Sequence, residues 1–257
     1  MASAMSRRPI PAKPPRAGPL RTLGKLAFGV VVFAAILVGW SYFRPKVINR
    51  LQLPDSVAAG DATGCALWFV GSSSIAKWET LERDFPGWQT HRRGIDGARI
   101  DDIEARILVT DSTVKPAGLV FYAGENDIAN GASGAEAAAA MLGMIDKVRT
   151  RLPTVPVFVI GIKPSPERWP QRNEQLRYNT IVSRSAQRLA NVTLVPTGAT
   201  LMREGVPIPA LYTDGVHLSA EGYSLWAQDI QRELERAMPR DRIAACSPTP
   251  PRTPSPA

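Results

Sequence analysis

CALWFVGSSSIAK, residues 65–77, is the stretch of sequence that decides the fold. Its first six residues are apolar and run up to Gly71, a pattern that predicts a short buried strand. Three serines follow the glycine, and the apolar periodicity of residues 75–85 predicts a helix. A buried strand followed at once by a helix is the repeating unit of α/β folds, so this stretch indicates the fold class.

The alternation of strand and helix patterns continues along the chain. Strands are predicted at 119–123, 155–162 and 192–196, and more weakly at 88–93. Helices with periodic apolar positions are predicted at 100–109, 135–151, 171–189 and 220–238. This alternation predicts a parallel sheet with helices on both faces, in which functional groups collect at the carboxyl ends of the strands.

The composition excludes several classes of protein. The 257 residues allow one large domain or two small ones, and 44% hydrophobic with 21% charged residues exclude a disordered chain, a collagen and a coiled coil. Two cysteines exclude a disulfide-dense scaffold and a four-cysteine zinc site. Two histidines, His91 and His217, leave little room for a multi-histidine centre, and no metal is predicted.

The net charge of +8 comes from the N-terminal arm and not from the body of the chain. Residues 1–50 contain nine Lys or Arg and no acidic residue, which leaves 22 basic and 23 acidic residues in 51–257. Because the body is close to neutral and carries no basic stripe, no nucleic-acid partner is predicted.

Residues 26–43, LAFGVVVFAAILVGWSYF, contain no charge and have about the length that spans a bilayer. Six basic residues precede this run and three follow it, so the preceding side is expected to stay in the cytoplasm. We predict a single-pass anchor in the lipid bilayer of the cell inner membrane, with the body on the periplasmic side. A cleaved signal peptide is the main alternative, although its cleavage site is weak, and a buried core helix fits the basic, Pro-rich flank poorly.

The chain is therefore expected to consist of one folded domain with flanking segments. The predicted segments are a basic Pro-rich cytoplasmic arm at 1–25, a transmembrane signal anchor at 26–43, a linker at 44–60, a folded domain at 61–240 and a Pro-rich tail at 241–257. The Pro-rich ends cannot bury enough apolar surface to form a core.

The serines after the first strand are the first candidates for catalysis. A serine in a strand-to-helix turn presents its hydroxyl at the sheet edge, where a helix N-terminus favours a developing negative charge. A helix cap or a phosphate loop would also place serines here, but the Gly-Lys-Ser/Thr ending of a phosphate loop is missing. The second glycine of a Gly-x-Ser-x-Gly elbow is missing too, because Ile75 occupies its place.

Three further segments complete a candidate site. Asp214 and His217 are three residues apart, a spacing that lets a carboxylate orient an imidazole, although an Asp cap beside a surface histidine has the same pattern. Asn126 follows a strand end, where its amide could donate to an oxyanion or simply shape the loop. Gly94 and Gly97 permit a tight turn whose backbone N–H groups face a ligand.

Together these segments resemble the SGNH hydrolases, also called the GDSL esterase/lipase family. The resemblance rests on four blocks in the family's order: Gly-x-Ser at 71–73, a glycine loop at 94–97, Gly-x-Asn-Asp at 124–127 and Asp-x-x-His at 214–217. It implies a flavodoxin-like three-layer α/β/α sandwich with a parallel sheet of about five strands. Ser72 and Ser74 depart from the family's usual Asp and Leu or Ile, which indicates a branch with a Gly-Ser-Ser-Ser-Ile turn.

The resemblance also implies a role for each matching residue. Ser73 would be the nucleophile, His217 the general base and Asp214 the residue that orients the histidine. The backbone N–H groups of Ser73 and Gly97 and the side-chain amide of Asn126 would form the oxyanion hole. The implied activity is hydrolysis of carboxylic esters, such as short acyl groups, O-acetyl groups or lysophospholipids, through an acyl-enzyme and without a cofactor.

Two further residues and two other functions belong to this interpretation. Glu125 and Lys163 lie at the predicted functional edge and are candidate contacts to a small-molecule, glycan or lipid ester, Lys163 to an anionic one. A solvated glutamate and an ordinary surface lysine are the alternatives. An O-acyltransferase with the same triad is one alternative function, and a catalytically idle module that binds glycan or lipid is another. The intact set of serine, histidine and aspartate argues against the idle module.

Cys65 and Cys246 are candidates for a disulfide. Cys65 begins the first strand, and the last helix starts at the active-site edge and runs back for about 28 Å at 1.5 Å per residue. Its end is therefore expected near Cys65, and a body outside the cytoplasm would lie in an oxidising compartment. Two unrelated thiols are the alternative.

Overall fold

The computed structural model describes residues 30–34, 52–54, 64–110 and 115–246. The chain divides into two units, 1–48 and 49–257. Of the predicted membrane anchor, only residues 30–34 are described, as a short exposed helix. Among the residues that the structure describes, no helix combines the length and the apolar character that crossing a bilayer requires. The predicted arm at 1–25, most of the linker and the tail from 247 lie outside the described residues.

Five parallel strands form the central sheet of the second unit. They are β1 (Ala66–Gly71), β2 (Gln89–Gly94), β3 (Gly118–Tyr122), β4 (Val157–Ile160) and β5 (Val192–Val195). Their order across the sheet is β2-β1-β3-β4-β5, with every neighbouring pair parallel. This is the flavodoxin-like strand order, so the predicted sheet is confirmed.

The helices lie between the strands in sequence. They are α1 (Ser73–Ala76), α2 (Leu81–Asp84), α3 (Ile100–Ile107), α4 (Glu125–Ala129), α5 (Gly134–Arg151), α6 (Arg172–Ala186), α7 (Ala220–Ala237) and α8 (Arg240–Cys246). Two 3₁₀ turns, Trp169–Gln171 and Pro209–Leu211, and a small hairpin of β6 (Met202–Arg203) and β7 (Val206–Pro207) complete the unit.

The sheet buries both of its faces, as the apolar strands predict. One face packs against α3, α5 and α6 through a cluster that includes Trp68, Val70, Phe121, Ile103, Met141 and Val182. The other face packs against α1 and α7 through a cluster that includes Phe69, Val120, Tyr122, Ile75, Trp226 and Ile230. The two clusters make the structure the three-layer α/β/α sandwich that the sequence predicts.

The helix predicted at 75–85 is two short helices instead of one. Trp78 lies between them and is fully buried, stacked on Trp226 of α7 with ring centroids 5.2 Å apart. Its indole N–H donates to Asp84 Oδ2 over 2.8 Å, and the Thr80 hydroxyl donates to the same oxygen. These side-chain bonds hold the segment in a turn, which a periodicity of apolar residues does not predict.

The weak strand pattern at 88–93 is β2, which lies at one edge of the sheet. Its sequence QTHRRG is polar because an edge strand has one strand neighbour and less apolar surroundings than a central one. Within it His91 is 3% exposed and pairs with Trp68, three residues before the end of β1. The side chain of His91 is therefore placed away from the carboxyl edge, at about 3.3 Å per residue.

The folded domain differs from its expected limits at both ends. Leu53, in the predicted linker, joins the core and its backbone N–H donates to Thr110 Oγ1 over 3.0 Å. At the other end α8 continues past residue 240 to Cys246, which is buried. A disulfide joins Cys246 to Cys65, with Cα atoms 5.5 Å apart, and so attaches the end of α8 to the start of β1.

Candidate active site

The turn after β1 places Ser73 at the carboxyl edge of the sheet. A Cβ on Gly71 would lie 2.2 Å from the carbonyl oxygen of Tyr122, so only glycine fits at the end of this strand. The next residue, Ser72, donates its backbone N–H to the same carbonyl over 3.1 Å, and α1 begins at Ser73. The buried strand and the close approach to β3 therefore fix the backbone from which the Ser73 hydroxyl projects.

The loop before α7 presents Asp214 and His217. An antiparallel bridge between Tyr212 and Leu218 and a backbone bond from Thr213 N–H to His217 O, 2.9 Å long, close this loop. Inside it, Asp214 Oδ1 accepts the backbone N–H of His217 over 2.8 Å and that of Val216 over 3.0 Å. The aspartate thus shapes the turn with one oxygen and keeps the other available.

Ser73, His217 and Asp214 form one hydrogen-bonded chain. His217 Nε2 lies 2.8 Å from Ser73 Oγ, and His217 Nδ1 lies 2.6 Å from Asp214 Oδ2. Burial raises the pKa of Asp214, but the hydrogen bonds from the backbone and ring of His217 and from Val216 outweigh it and hold that pKa well below its ordinary value. Because an ionised carboxylate only accepts, Nδ1 carries the proton and Nε2 is free to accept the serine O–H.

Three N–H groups of the predicted oxyanion-hole residues have no acceptor within the described part of the protein. The backbone N–H groups of Ser73 and Gly97 make no hydrogen bond there. Asn126 Nδ2 donates to the carbonyl of Ala98 over 2.9 Å, which uses one amide hydrogen and leaves the second. Asp127 Oδ2 accepts the Ile100 N–H over 3.2 Å, and this hydrogen bond connects α4 to the start of α3, directly after the glycine loop. Each predicted oxyanion-hole residue therefore keeps one N–H without an acceptor among the described residues.

Two residues that the sequence analysis did not single out for the site contact this triad and its turn. Lys77, four residues after Ser73, places its Nζ 3.5 Å from His217 Nδ1. Tyr223 of α7 donates its hydroxyl to the Ser74 carbonyl over 2.8 Å and so attaches the serine turn to the last helix. The only sequence feature that points to Lys77 is its position four residues after Ser73. Tyr223 belongs to the periodic apolar positions of the last predicted helix, which do not distinguish it from a core residue.

Glu125 and Lys163, expected as substrate contacts, bind each other inside the protein. Lys163 is completely buried and Glu125 is 4% exposed, and Nζ lies 3.0 Å from Oε2. The Tyr122 hydroxyl donates to the same Oε2 over 2.7 Å and lies 3.2 Å from Nζ. Burial, and then the Glu125 charge, raises the pKa of Tyr122 well above its ordinary value. In this structure the two charged groups are buried and form an ion pair with each other, so neither is exposed to solvent or available to a substrate.

The loop after β4 also touches the histidine loop. The Tyr212 hydroxyl donates to the carbonyl of Pro164, and Glu167 donates its backbone N–H to Gly215 O over 3.0 Å. Lys163, adjacent to Pro164, thereby belongs to a chain of contacts from the α4 loop to the Asp214 turn. Within 64–110 and 115–246, no three His, Cys, Asp or Glu side chains are grouped to ligate a metal ion.

Comparisons with known proteins concern the sequence and the fold of the chain. The sequence profile of the GDSL-like lipase/acylhydrolase family matches residues 55–225. Among curated proteins, none matches the chain. Solved structures with the same fold include a GDSL-like lipase from Bacteroides thetaiotaomicron, which is 19% identical with a TM-score of 0.55 and covers 77% of this chain and 98% of its own.

Two further structures carry names that describe an activity. A carbohydrate esterase family 3 protein from Talaromyces cellulolyticus is 19% identical, with a TM-score of 0.54, and covers 67% of this chain and 97% of its own. An acetyl esterase, solved as a serine-to-alanine mutant with an acetate ion, is 18% identical, with a TM-score of 0.52 and the same 67% and 97% coverage. At these identities the structural likeness establishes the fold alone.

Proposed function

The chain belongs to the GDSL-like lipase/acylhydrolase family and is an ester hydrolase, and we propose that it cleaves short acyl esters, above all O-acetyl groups, through an acyl-enzyme on Ser73. One observation carries the assignment of the nucleophile. The Ser73 hydroxyl lies 2.8 Å from His217 Nε2, and the opposite ring nitrogen lies 2.6 Å from an ionised Asp214. Serine is unreactive at its own pKa, and this arrangement supplies the base that it needs.

Acylation follows from the proton positions in the chain of three residues. Ser73 Oγ forms a bond to the ester carbonyl carbon while its proton moves to His217 Nε2. Asp214 stabilises the imidazolium that results and does not take a proton itself. The tetrahedral intermediate then expels the alcohol, which receives the proton from Nε2, and leaves the acyl group on Ser73.

Deacylation repeats the same steps with water. His217 Nε2 takes a proton from water, whose oxygen attacks the acyl carbon, and returns that proton to Ser73 as the acid leaves. In both steps the oxyanion is stabilised by the N–H groups of Ser73 and Gly97 and by the second amide hydrogen of Asn126. Each such donor typically contributes about 2.7–4 kcal/mol of transition-state stabilisation.

The choice of acetyl esters rests on the neighbours and the expected location. A carbohydrate esterase and an acetyl esterase with bound acetate share the fold. We also propose that residues 26–43 anchor the chain in the inner membrane with the hydrolase domain in the periplasm, where cell-envelope glycans carry O-acyl groups. The uncharged run, its basic flank and the Cys65–Cys246 disulfide support this location. Lysophospholipids are a second ester class that this chemistry serves.

Hydrolysis of p-nitrophenyl acetate by the full chain tests the nucleophile. We expect turnover by the wild type and none above background for Ser73→Ala, whereas Ser72→Ala and Ser74→Ala, which alter the same turn, keep a measurable rate. Turnover that survives in Ser73→Ala would mean that another serine is the nucleophile. Transfer of acetyl to a sugar without hydrolysis would identify the acyltransferase instead.

The location needs a separate test. Alkaline phosphatase, which is active only outside the cytoplasm, is fused after residue 246 of the full chain. We expect phosphatase activity in the membrane fraction, and loss of activity when residues 26–43 are deleted. An inactive fusion that is fully produced in the cytoplasm would contradict the proposed location without affecting the esterase assignment.

A further inference from the structure

The segment 168–175, which spans the 3₁₀ turn before α6 and the first turn of that helix, has buried polar atoms without partners. Four side-chain atoms are buried there and have no hydrogen bond within the described structure: Arg168 Nε, Gln171 Oε1, Arg172 Nη1 and Gln175 Oε1. Gln175 is only 1% exposed. Buried polar groups in native proteins are almost always satisfied, by protein, water or a ligand, because leaving them unpaired costs free energy.

The two arginines also lack counter-ions. Neither forms an ion pair within the part of the chain that the structure covers, and burial lowers the pKa of Arg172. Two carboxylates have other partners: Glu174 Oε2 accepts the Gly134 N–H over 2.6 Å, and Glu125 is paired with Lys163. The exposed Glu167, which precedes Arg168 in sequence, forms no ion pair with either arginine within the described residues. The guanidinium groups therefore retain both their charge and hydrogen-bond donors for a ligand.

This segment borders the histidine loop. Glu167, immediately before Arg168, donates its backbone N–H to Gly215 O over 3.0 Å, and Gly215 follows Asp214. Arg172 Nη2 lies 4.0 Å from the point where a Cβ on Gly198 would stand, in the loop after β5. Its charge also acts on Tyr212, two residues before Asp214. The segment thus lies at the same carboxyl edge of the sheet as the triad.

Building on the proposed function, we propose that 168–175 is a substrate subsite for the alcohol part of the ester, and that this part carries an anionic group together with hydroxyls. A guanidinium group can donate two parallel hydrogen bonds to the oxygens of a carboxylate or a phosphate. The unpartnered oxygen of Gln171, whose side chain is half-buried, requires a donor, which a hydroxyl group supplies. An O-acetylated sugar acid or sugar phosphate offers both sets of groups, whereas p-nitrophenyl acetate offers neither.

The proposal is tested by comparing matched acetyl esters on the full chain. The substrates are the O-acetylated methyl glycosides of glucose, of glucuronic acid and of glucose 6-phosphate. We expect at least one charged ester to have a kcat/KM roughly 10-fold or more above the neutral one, as charge-assisted hydrogen bonds allow. The two charged substrates distinguish carboxylate from phosphate, and equal kcat/KM for all three would overturn the subsite.

Arginine variants assign the effect to this segment. Arg168→Gln and Arg172→Gln are each expected to lower kcat/KM for the preferred charged ester by roughly 10-fold, mainly through KM, with p-nitrophenyl acetate turnover unchanged within about 2-fold. Arg177→Gln, an exposed arginine of the same helix, removes the same charge and is expected to change neither rate. If Arg177→Gln lowered kcat/KM for the charged ester equally, the loss would come from the change in net charge and not from this segment, which would overturn the proposal.

A binding measurement separates this proposal from the proposed function. Titration calorimetry of the wild type with glucuronate and with glucose 6-phosphate should detect at least one ligand, and Arg172→Gln should abolish its binding. Arg172→Lys, which keeps the charge and loses the fork, should retain weak binding and serves if the glutamine variant does not fold. Absence of p-nitrophenyl acetate turnover would refute the esterase, whereas absence of binding by either ligand would refute the subsite.

Discussion

Two acid–base pairs at the carboxyl edge of the sheet have opposite surroundings. In the Asp214–His217 pair the side chains are 52% and 15% exposed, and in the Glu125–Lys163 pair they are 4% and 0% exposed. The first pair is open enough for protons to be exchanged with substrate and water. The second is enclosed, so its charges neutralise each other and hold loops in place. Burial, more than residue type, therefore separates a pair suited to catalysis from one that positions the site.

The largest effect is expected from Asp214→Asn, which breaks the exposed pair. The asparagine Oδ1 can still accept the turn bonds, but its amide cannot stabilise the imidazolium, and it favours the wrong tautomer of His217. We expect kcat to fall by about four orders of magnitude, as for other serine triads, with a melting temperature close to that of the wild type. Steady-state kinetics on p-nitrophenyl acetate measure kcat, and thermal unfolding measures the melting temperature. A kcat within 10-fold of the wild type would remove Asp214 from the triad.

Lys163→Met breaks the buried pair and should act first on stability. It leaves the Glu125 carboxylate buried without its cation, and removal of one partner of a buried pair typically costs about 3–5 kcal/mol. Denaturant unfolding measures this loss. The control is Lys147→Met, because Lys147 forms a solvent-exposed bridge of 2.5 Å to Glu104 and is expected to cost less than about 1 kcal/mol.

A second variant distinguishes the lost pair from lost packing. The double variant Glu125→Leu with Lys163→Met leaves no orphan charge, so it should recover part of the stability that the single variant loses. Equal or greater destabilisation in the double variant would show that the carboxylate has a structural role beyond its pairing with the lysine.

Asn126 follows Glu125 of the buried pair in sequence, but its proposed role is to bind the oxyanion during catalysis. Asn126→Ala therefore tests whether this residue acts in catalysis, like the exposed pair, or in stability, like the buried pair. The change removes the proposed oxyanion donor and the hydrogen bond to Ala98 O. We expect a loss of about 2.7–4 kcal/mol of transition-state stabilisation, seen as a fall of about two to three orders of magnitude in kcat with little change in KM. A loss that appears in KM alone would place the asparagine in substrate binding and not in the oxyanion hole.

The smallest effect is the pH dependence that Asp214 gives to stability. Its pKa in the folded protein lies below the ordinary value of 3.8, so the stabilisation is present above that pH and is lost as the pH falls toward the folded value. Because the side chain is half exposed, we expect less than about 1 kcal/mol. Melting curves from pH 6 to pH 2.5 should show wild type losing stability relative to Asp214→Asn below about pH 4. Parallel curves would contradict this linkage.

Much of the fold followed from local sequence patterns. The apolar run before Gly71 and the periodic helices near 135–151 and 220–238 are close to the observed elements. Such long, regular segments bury a face whatever their exact neighbours, so periodicity is enough to predict them. The polar edge strand β2 was predicted only weakly, and the helix at 75–85 proved to be two, because Trp78 and Asp84 form a side-chain bond that no periodicity records.

By itself, the sequence was enough to predict that Ser73, Asp214 and His217 meet at the carboxyl edge of the sheet. Gly71–Ser73 and Asp214–His217 lie at strand or helix ends, and parallel strands bring such ends together. Only the tertiary structure showed which charged groups at this edge are buried in an ion pair and which are exposed. Glu125 and Lys163 are 38 residues apart, and nothing local shows that they bury each other at 3.0 Å. The geometry of a turn depends on residues that are neighbours in sequence. The desolvation of a charged group depends on all the segments that pack around it, so it is known only from the folded structure.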